Sequence, residues 1–535
     1  MIATCDMSVQ TKDLPITDSF NELNTSSASI VGRVGRGLGA LSLNAGIQAV
    51  GQLAIVPIAL YAWGKIRYGE WIVLTGLVTV LRLTDLGLQT FVVNRMCASF
   101  AKGDRTEMQR DLSNAMRIQI PLIIVIALAC GVILTILPLD RILGLQTIGG
   151  TTLFLVAMLL MIELLMGVPM GVLAGVYRAT GRLARAGVIG ACQQFAIIGA
   201  TIALIAGSAG FATIAVIRVA IGVVVSAWIL FDLRRLYPWL HLFSRNGKWQ
   251  EGARMIAPGL FFILIPLADY LSTQFTLMVV QSSLAAGEAS RLATHRTIVN
   301  LAMMISGLLT SSMWPELTSL HARLERDRLI KAHRSLTRMN MWLVGTIVIG
   351  MLPFIPIIYP AWTARRLEID TFTLAFLVSR MVLWGMWSAS MILLCAINRQ
   401  KSVALVLIGA AVLTSAISIL LIPQIGISGA ALAQLIGDVC ISAWLIPWLA
   451  ANEIQDHFGG YALEIGKALA TGILIPIGLG VLAWRFIDSE LLRLLLIVPL
   501  VACLALVFMW RQLTPNEKGF GLGIYRKLAS LKTAT

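Results

Sequence analysis

GVIGACQQFAIIGATIALIAGSAGFA (187–212) has a counterpart within its own chain. Gly190, Ala191, Gly207, Gly210 and Ala212 each meet the same residue 219 positions later, at Gly409, Ala410, Gly426, Gly429 and Ala431. Two further pairs keep nearly the same spacing: Gly69-Glu70 with Gly287-Glu288 at 218, and Asp104-Arg105 with Asp327-Arg328 at 223. Single Gly and Ala matches are cheap in apolar helices, but three regions sharing one offset point to a duplicated body.

The quoted stretch is also apolar enough to enter a bilayer, and the chain around it is alike. Hydrophobic residues make up 58% and charged residues 13%, with a mean hydropathy of +0.83, beyond what a water-facing surface tolerates. A span needs about 20 mostly apolar residues. Such stretches are read at 38–62, 71–94, 118–139, 151–176, 184–206 and 210–231, then at 255–281, 289–314, 341–360, 371–397, 402–423 and 427–451, with two more at 465–487 and 491–510. The expectation is an all-α polytopic membrane protein of about fourteen helices, with two pseudo-symmetric six-helix lobes and two added helices. An even repeat of six enters the bilayer twice from the same side, which is the parallel-repeat arrangement.

The implied organisation runs as a disordered basic cytoplasmic tail (1–37), an N-lobe (38–232), a cytoplasmic linker (233–254), a C-lobe (255–451), two further helices (452–511) and a basic cytoplasmic tail (512–535). The polar first 30 residues hold no apolar segment of the kind a secretory signal needs. Seven scattered Cys form no CxxC pair, so neither a disulfide framework nor a zinc site is indicated.

A net charge of +15 raises the question of a nucleic-acid partner, and the positions of the basic residues answer it. They concentrate in 95–117, 232–254 and 315–340, the loops that share one side if the N-terminus is cytoplasmic. Topology and attraction to anionic lipid explain the charge, and no basic-aromatic stripe supports nucleic acid. No Walker A or HExxH sequence occurs, the five His have no metal spacing, and no cofactor is expected.

Away from the span ends, eight charges fall inside the spans of the two lobes: Arg82, Asp85, Glu163, Arg218, Asp269, Arg296, Arg380 and Asp438. Each costs about 2.5–3.5 kcal/mol at a helix centre on insertion scales, so they should face a wet interior. Arg82, Asp85 and Gln89 are spaced i, i+3, i+7, Asn44, Gln48 and Gln52 i, i+4, i+8, and Arg296 and Asn300 i, i+4. Asp269 shares a stripe with Thr273 and Thr276, and Arg380 with Trp384 and Trp387. The substrate-binding expectation is Arg82, Arg296, Gln89, Asn44, Gln48, Asn300, Arg380 and Trp384, with Asp85 and Asp269 orienting them or answering a coupling ion. Glu163 and Asp438 read as structural.

YGEWIVL (68–74), TDLGL (84–88), the Asn-Arg pair at 94–95, AKGD (101–104), THRTIVN (294–300), WPEL (314–317), AINRQ (396–400) and GISGAALA (426–433) resemble the bacterial polysaccharide flippases, the Wzx-type members of the MOP exporter superfamily. The resemblance covers roughly 38–450. It implies alternating-access transfer of an undecaprenyl-diphosphate-linked oligosaccharide across the bacterial inner membrane, for exopolysaccharide or lipopolysaccharide synthesis. Both termini would be cytoplasmic, Arg82 and Arg296 would meet the diphosphate, and the partners would be membrane lipids, a polysaccharide polymerase and chain-length proteins. Two rivals remain: an ion-coupled multidrug-type exporter, disfavoured because 38–62 carries no acid, and a glycosyltransferase or polymerase, disfavoured because the outside loops are too short for a catalytic site.

Overall fold

In the computed structural model the described residues are 27–475, apart from 82–87, 102, 245–247, 255, 323 and 398, together with positions 478, 499, 503 and 507. Every regular element among them is helical. Eleven helices are long and apolar enough to cross a membrane, against the fourteen spans expected; 476–477 and almost everything beyond 478 lie outside the described residues. The protein is a multi-pass membrane protein.

The first helix, α1 (Ser27–Thr79), is one run broken at Gly64, whose φ of +74° disfavours any residue with a Cβ. A straight helix would hold Trp63 and Trp71 about 12 Å apart along its axis. Their rings are 6.0 Å apart, so the chain bends sharply at Gly64 and α1 supplies two arms. The second arm leads past 82–87 into α2 (Leu88–Ala101). Helix already begins at 27, which corrects the disordered tail drawn through 37. The hydropathy signal marks only hydrocarbon depth, and no proline in 27–37 stops the helix there.

The N-half continues through α3 (Arg105–Ile136), α4 (Leu139–Ile142), α5 (Gly150–Ala179), α6 (Leu183–Ala206) and α7 (Phe211–Leu236). A short α8 (Trp249–Arg254) follows. The C-half opens with α9 (Ile256–Tyr270), which passes through a π turn at Leu271–Phe275 into α10 (Thr276–Ser283). Then come α11 (Glu288–Ser312), α12 (Trp314–Ala322), α13 (Arg326–Met351), α14 (Ile355–Trp362), α15 (Thr371–Ala396) and α16 (Gln400–Ile425). The last span of this half is α17 (Ile427–Gly437), a second π turn at Asp438–Ser442, and α18 (Ala443–Glu453). A thirteenth helix starts with α19 (Phe458–Leu469) and enters a third π turn at Ala470–Leu474.

Helices α3 and α13 start well before the spans read at 118 and 341. Their polar first turns are held by partners instead of by lipid. In α3, Gln109 and Ser113 bond the backbone at 241–244 and Asn114 bonds Glu251 of α8 at 3.0 Å. In α13, Arg334 forks onto Asp456 at 2.6 and 2.9 Å, and Arg338 reaches Glu464 of α19 at 2.8 Å. These ends carry the basic loops.

Apolar packing is distributed unequally along the membrane normal. At the basic end each half has its own core, around Met96, Met116 and Tyr177 in one and around Leu317, Leu393 and Ile446 in the other. At the opposite end, cores drawn from both halves, including Leu60, Trp71 and Phe211 with Val348 and Tyr359, join them into one body. Among the described residues, the apolar cores shared by both halves lie at the end away from the basic loops.

Candidate functional site

Two of the cavities among the described residues hold the expected polar positions, one in each half. The C-half cavity, about 490 Å³, is walled by α9, α11, α15 and α17 and by the two π turns. It brings together Arg296, Asn300, Arg380 and Trp384, the four substrate-binding positions expected in this half, and Asp269, expected to orient them or answer a coupling ion. A π turn inserts one residue into the helical register and turns backbone carbonyls toward side chains. The Ser272 carbonyl accepts Gln434 Nε2 at 2.7 Å, and the Thr273 carbonyl accepts Arg296 Nη1 at 2.8 Å.

That bond is the only one Arg296 makes to the protein among the described residues, and no carboxylate lies within 4 Å of it. Its guanidinium, on a residue only 9% exposed, keeps most of its five N–H donors for something else. Arg380 is committed instead: its Nε meets Asp438 Oδ2 at 2.9 Å and its Nη1 meets Gln434 at 3.4 Å. The Trp384 and Trp387 rings pack edge to face, centroids 4.6 Å apart, and neither indole N–H has a partner. The Asp269 carboxylate and the Asn300 amide also line the cavity with no hydrogen bond of their own among the described residues.

The N-half cavity is larger, about 710 Å³. It holds Gln48, Gln52 and Gln89, all read as cavity-facing, together with Glu163, Arg218 and Trp71. Gln193 and Gln194 complete its polar wall, and the sequence reading missed them because two adjacent residues on a helix do not make a stripe. Arg218 donates from Nε at 2.7 Å and Nη2 at 2.9 Å to the two oxygens of Glu163, joining α5 to α7. Gln89 sits against α5 where a Cβ on Gly171 would fall 2.3 Å from its Oε1, so only glycine leaves it room.

The expected site residues therefore fall into two groups, not one stripe-lined chamber. The second arm of α1 stands between them. Trp71 faces the N-half cavity, while about 7.5 Å farther along that arm Gly76 receives Gln274, a wall residue of the other cavity. Arg82 and Asp85, on the same stretch of chain, lie outside the described residues, as does the side chain of Asn44. No group of three or more His, Cys, Asp or Glu suited to a metal occurs among the described residues.

No protein-family profile and no curated protein sequence matches the chain. Solved structures do match in shape. The chain is similar to the lipid II flippase MurJ in an inward closed conformation, with a TM-score of 0.65 and 12% identity over 88% of this chain and 98% of that one. It is also similar to an inward-facing multidrug resistance MATE family transporter of the MOP superfamily, with a TM-score of 0.62 and 14% identity over 79% of this chain and 97% of that one. A MOP superfamily transporter from Pyrococcus furiosus follows, with a TM-score of 0.54 and 14% identity over 79% and 95%. The fold is that of MOP superfamily transporters.

Proposed function

We propose that this protein is a flippase that carries the polar head of an isoprenoid-diphosphate-linked saccharide across a bacterial inner membrane by alternating access. The observation that carries the reading is Arg296: a guanidinium in a membrane-depth cavity without a carboxylate partner, beside two unpartnered indole N–H groups. Such donors cost free energy when left unmet in a low-dielectric space, and a diphosphate meets several at once. Trp384 and Trp387 add ring surface against which a sugar face can pack. The prenyl chain stays in lipid while the head crosses through water. The basic end then faces the cytoplasm, where the loops carry their excess of Lys and Arg. The likeness to the lipid II flippase takes in more of this chain than the likeness to the multidrug transporter, 88% against 79%, and favours the flippase reading.

Asp269 supports a second reading. A carboxylate lining the same cavity without a hydrogen bond of its own would suit an ion-coupled exporter of cationic compounds. One experiment separates the two. Farnesyl diphosphate and a lipophilic cation, tetraphenylphosphonium, are titrated against the purified protein in nanodiscs. The flippase reading expects farnesyl diphosphate to bind, Arg296→Glu to abolish binding, and Arg296→Lys to weaken it about tenfold, because the charge survives and the planar fork does not. Binding of the cation alone, lost in Asp269→Asn, would establish the exporter.

A further inference from the structure

The N-half cavity has a composition of its own. Its one ion pair, Glu163 with Arg218, is internally neutralised by two short hydrogen bonds, so the space offers no net charge to a ligand. What it does offer is amide. Gln48, Gln52, Gln193 and Gln194 line it, and none of these four makes a hydrogen bond to the protein among the described residues. A carboxamide has two donors and an acceptor with two lone pairs, and four of them on one wall, Gln52 exposed and the other three half-buried, leave that capacity to whatever fills the cavity. Hydroxyl groups match that capacity best, because each donates and accepts in turn. Trp71 supplies an aromatic wall in the same cavity. A volume of about 710 Å³ lies within the range that encloses a drug-sized ligand.

We infer that the N-half cavity is a binding subsite for uncharged saccharide, held through Gln48, Gln52, Gln193 and Gln194, while the anionic linkage is held at Arg296 across the second arm of α1. The inference rests on the proposed flippase function and divides its substrate between two walls. The division follows from the chemistry of each wall: unpaired cation and indole donors on one side, neutral amides on the other. One helix serves both walls: Trp71 lines the N-half cavity, and Gly76, about 7.5 Å along the same arm, meets Gln274 of the other cavity.

Two probes test it on full-length protein in nanodiscs: the oligosaccharide released by mild acid from the lipid-linked saccharides of the producing cells, and farnesyl diphosphate. Binding is read by isothermal titration and by saturation-transfer NMR. The expectation for Gln48→Leu/Gln193→Leu is a loss of about tenfold or more in oligosaccharide affinity, since each neutral hydrogen bond lost changes affinity about two- to tenfold. Farnesyl diphosphate should bind that variant within about twofold of wild type, which also reports correct folding. Arg296→Gln should show the opposite pattern. Gln52→Leu and Gln194→Leu, singly, carry the test if the double variant does not insert. Oligosaccharide affinity unchanged in the glutamine variants, or both ligands lost together in all of them, overturns the subsite. Wild-type protein that binds farnesyl diphosphate but no oligosaccharide overturns the subsite and leaves the flippase reading standing. Glutamine-dependent oligosaccharide binding without diphosphate binding supports the subsite and overturns the anionic-linkage reading.

Discussion

Arg218 meets both oxygens of Glu163, and Arg380 meets Asp438 through one nitrogen, yet the two pairs occupy related places. Glu163 and Arg380 each lie 16 residues before the end of α5 and α15, and their partners stand on the last span of each half. The charges are exchanged between the copies. Because both members of the N-half pair reach a wet cavity, Glu163→Gln should cost about 1–3 kcal/mol, below the 3–5 kcal/mol typical when a fully buried pair is broken. Glu163→Gln/Arg218→Gln should recover most of that loss, because no uncompensated charge remains, and thermal unfolding in detergent measures both. Equal destabilisation by the single and double variants would show that packing, not charge, dominates there. These pairings were only partly legible in sequence. The eight intramembrane charges were visible, but partners 55 and 58 residues apart sit on different helices, beyond the reach of i, i+4 reasoning. The repeat did hold the clue, since Glu163 and Arg380 are 217 positions apart and Arg218 and Asp438 are 220.

At the level of elements, hydropathy found the long apolar helices, eleven of which among the described residues can cross a membrane, because about 20 apolar residues is a length imposed by the bilayer. It could not show where helices break. Gly64 reads as one more glycine in an apolar run, and the π turns at Leu271–Phe275 and Asp438–Ser442 leave no signature in a periodicity of 3.6. Those turns shape the C-half cavity, so the stripe reading collected residues that line it without predicting the carbonyl that Arg296 bonds. Close approach of helices is equally silent in a single sequence. A Cβ on Gly175 of α5 would fall 2.1 Å from Val93 Cγ2 of α2, so the two backbones meet through a glycine. Gly175→Val should therefore destabilise the N-half by about 1–3 kcal/mol through overpacking, seen as a lower unfolding temperature. Val93→Ala in the same chain should restore much of it. A Gly175→Val protein as stable as wild type would mean that α2 and α5 slide apart freely.

The whole molecule is held together asymmetrically. Among the described residues, every ion pair either lies within one half and its attached helix or involves α8 of the linker, and none joins the helices of α1–α7 to those of α9–α18. Between the halves stand shared apolar cores at one end and single hydrogen bonds such as Trp362 Nε1 to the Leu53 carbonyl at 2.7 Å. Apolar contact is non-directional and can be re-formed at the other end, whereas ion pairs would pin one geometry, so this division of forces suits two rigid bodies that rock. The seal can be tested where the repeat-related helices cross. A Cβ on Gly69, in the second arm of α1, would lie 3.6 Å from the Cβ of Ser290 in α11, within the usual Cβ–Cβ separation of a disulfide, about 3.5–4.5 Å. Gly69→Cys/Ser290→Cys, made with the seven native cysteines replaced, should cross-link on oxidation and hold the sealed end shut. Transport of the proposed lipid-linked substrate in proteoliposomes should then fall by at least tenfold and return on reduction, while farnesyl diphosphate binding stays within about twofold. Full transport by the cross-linked protein would mean that the seal never opens, and that passage through this fold does not require the halves to part.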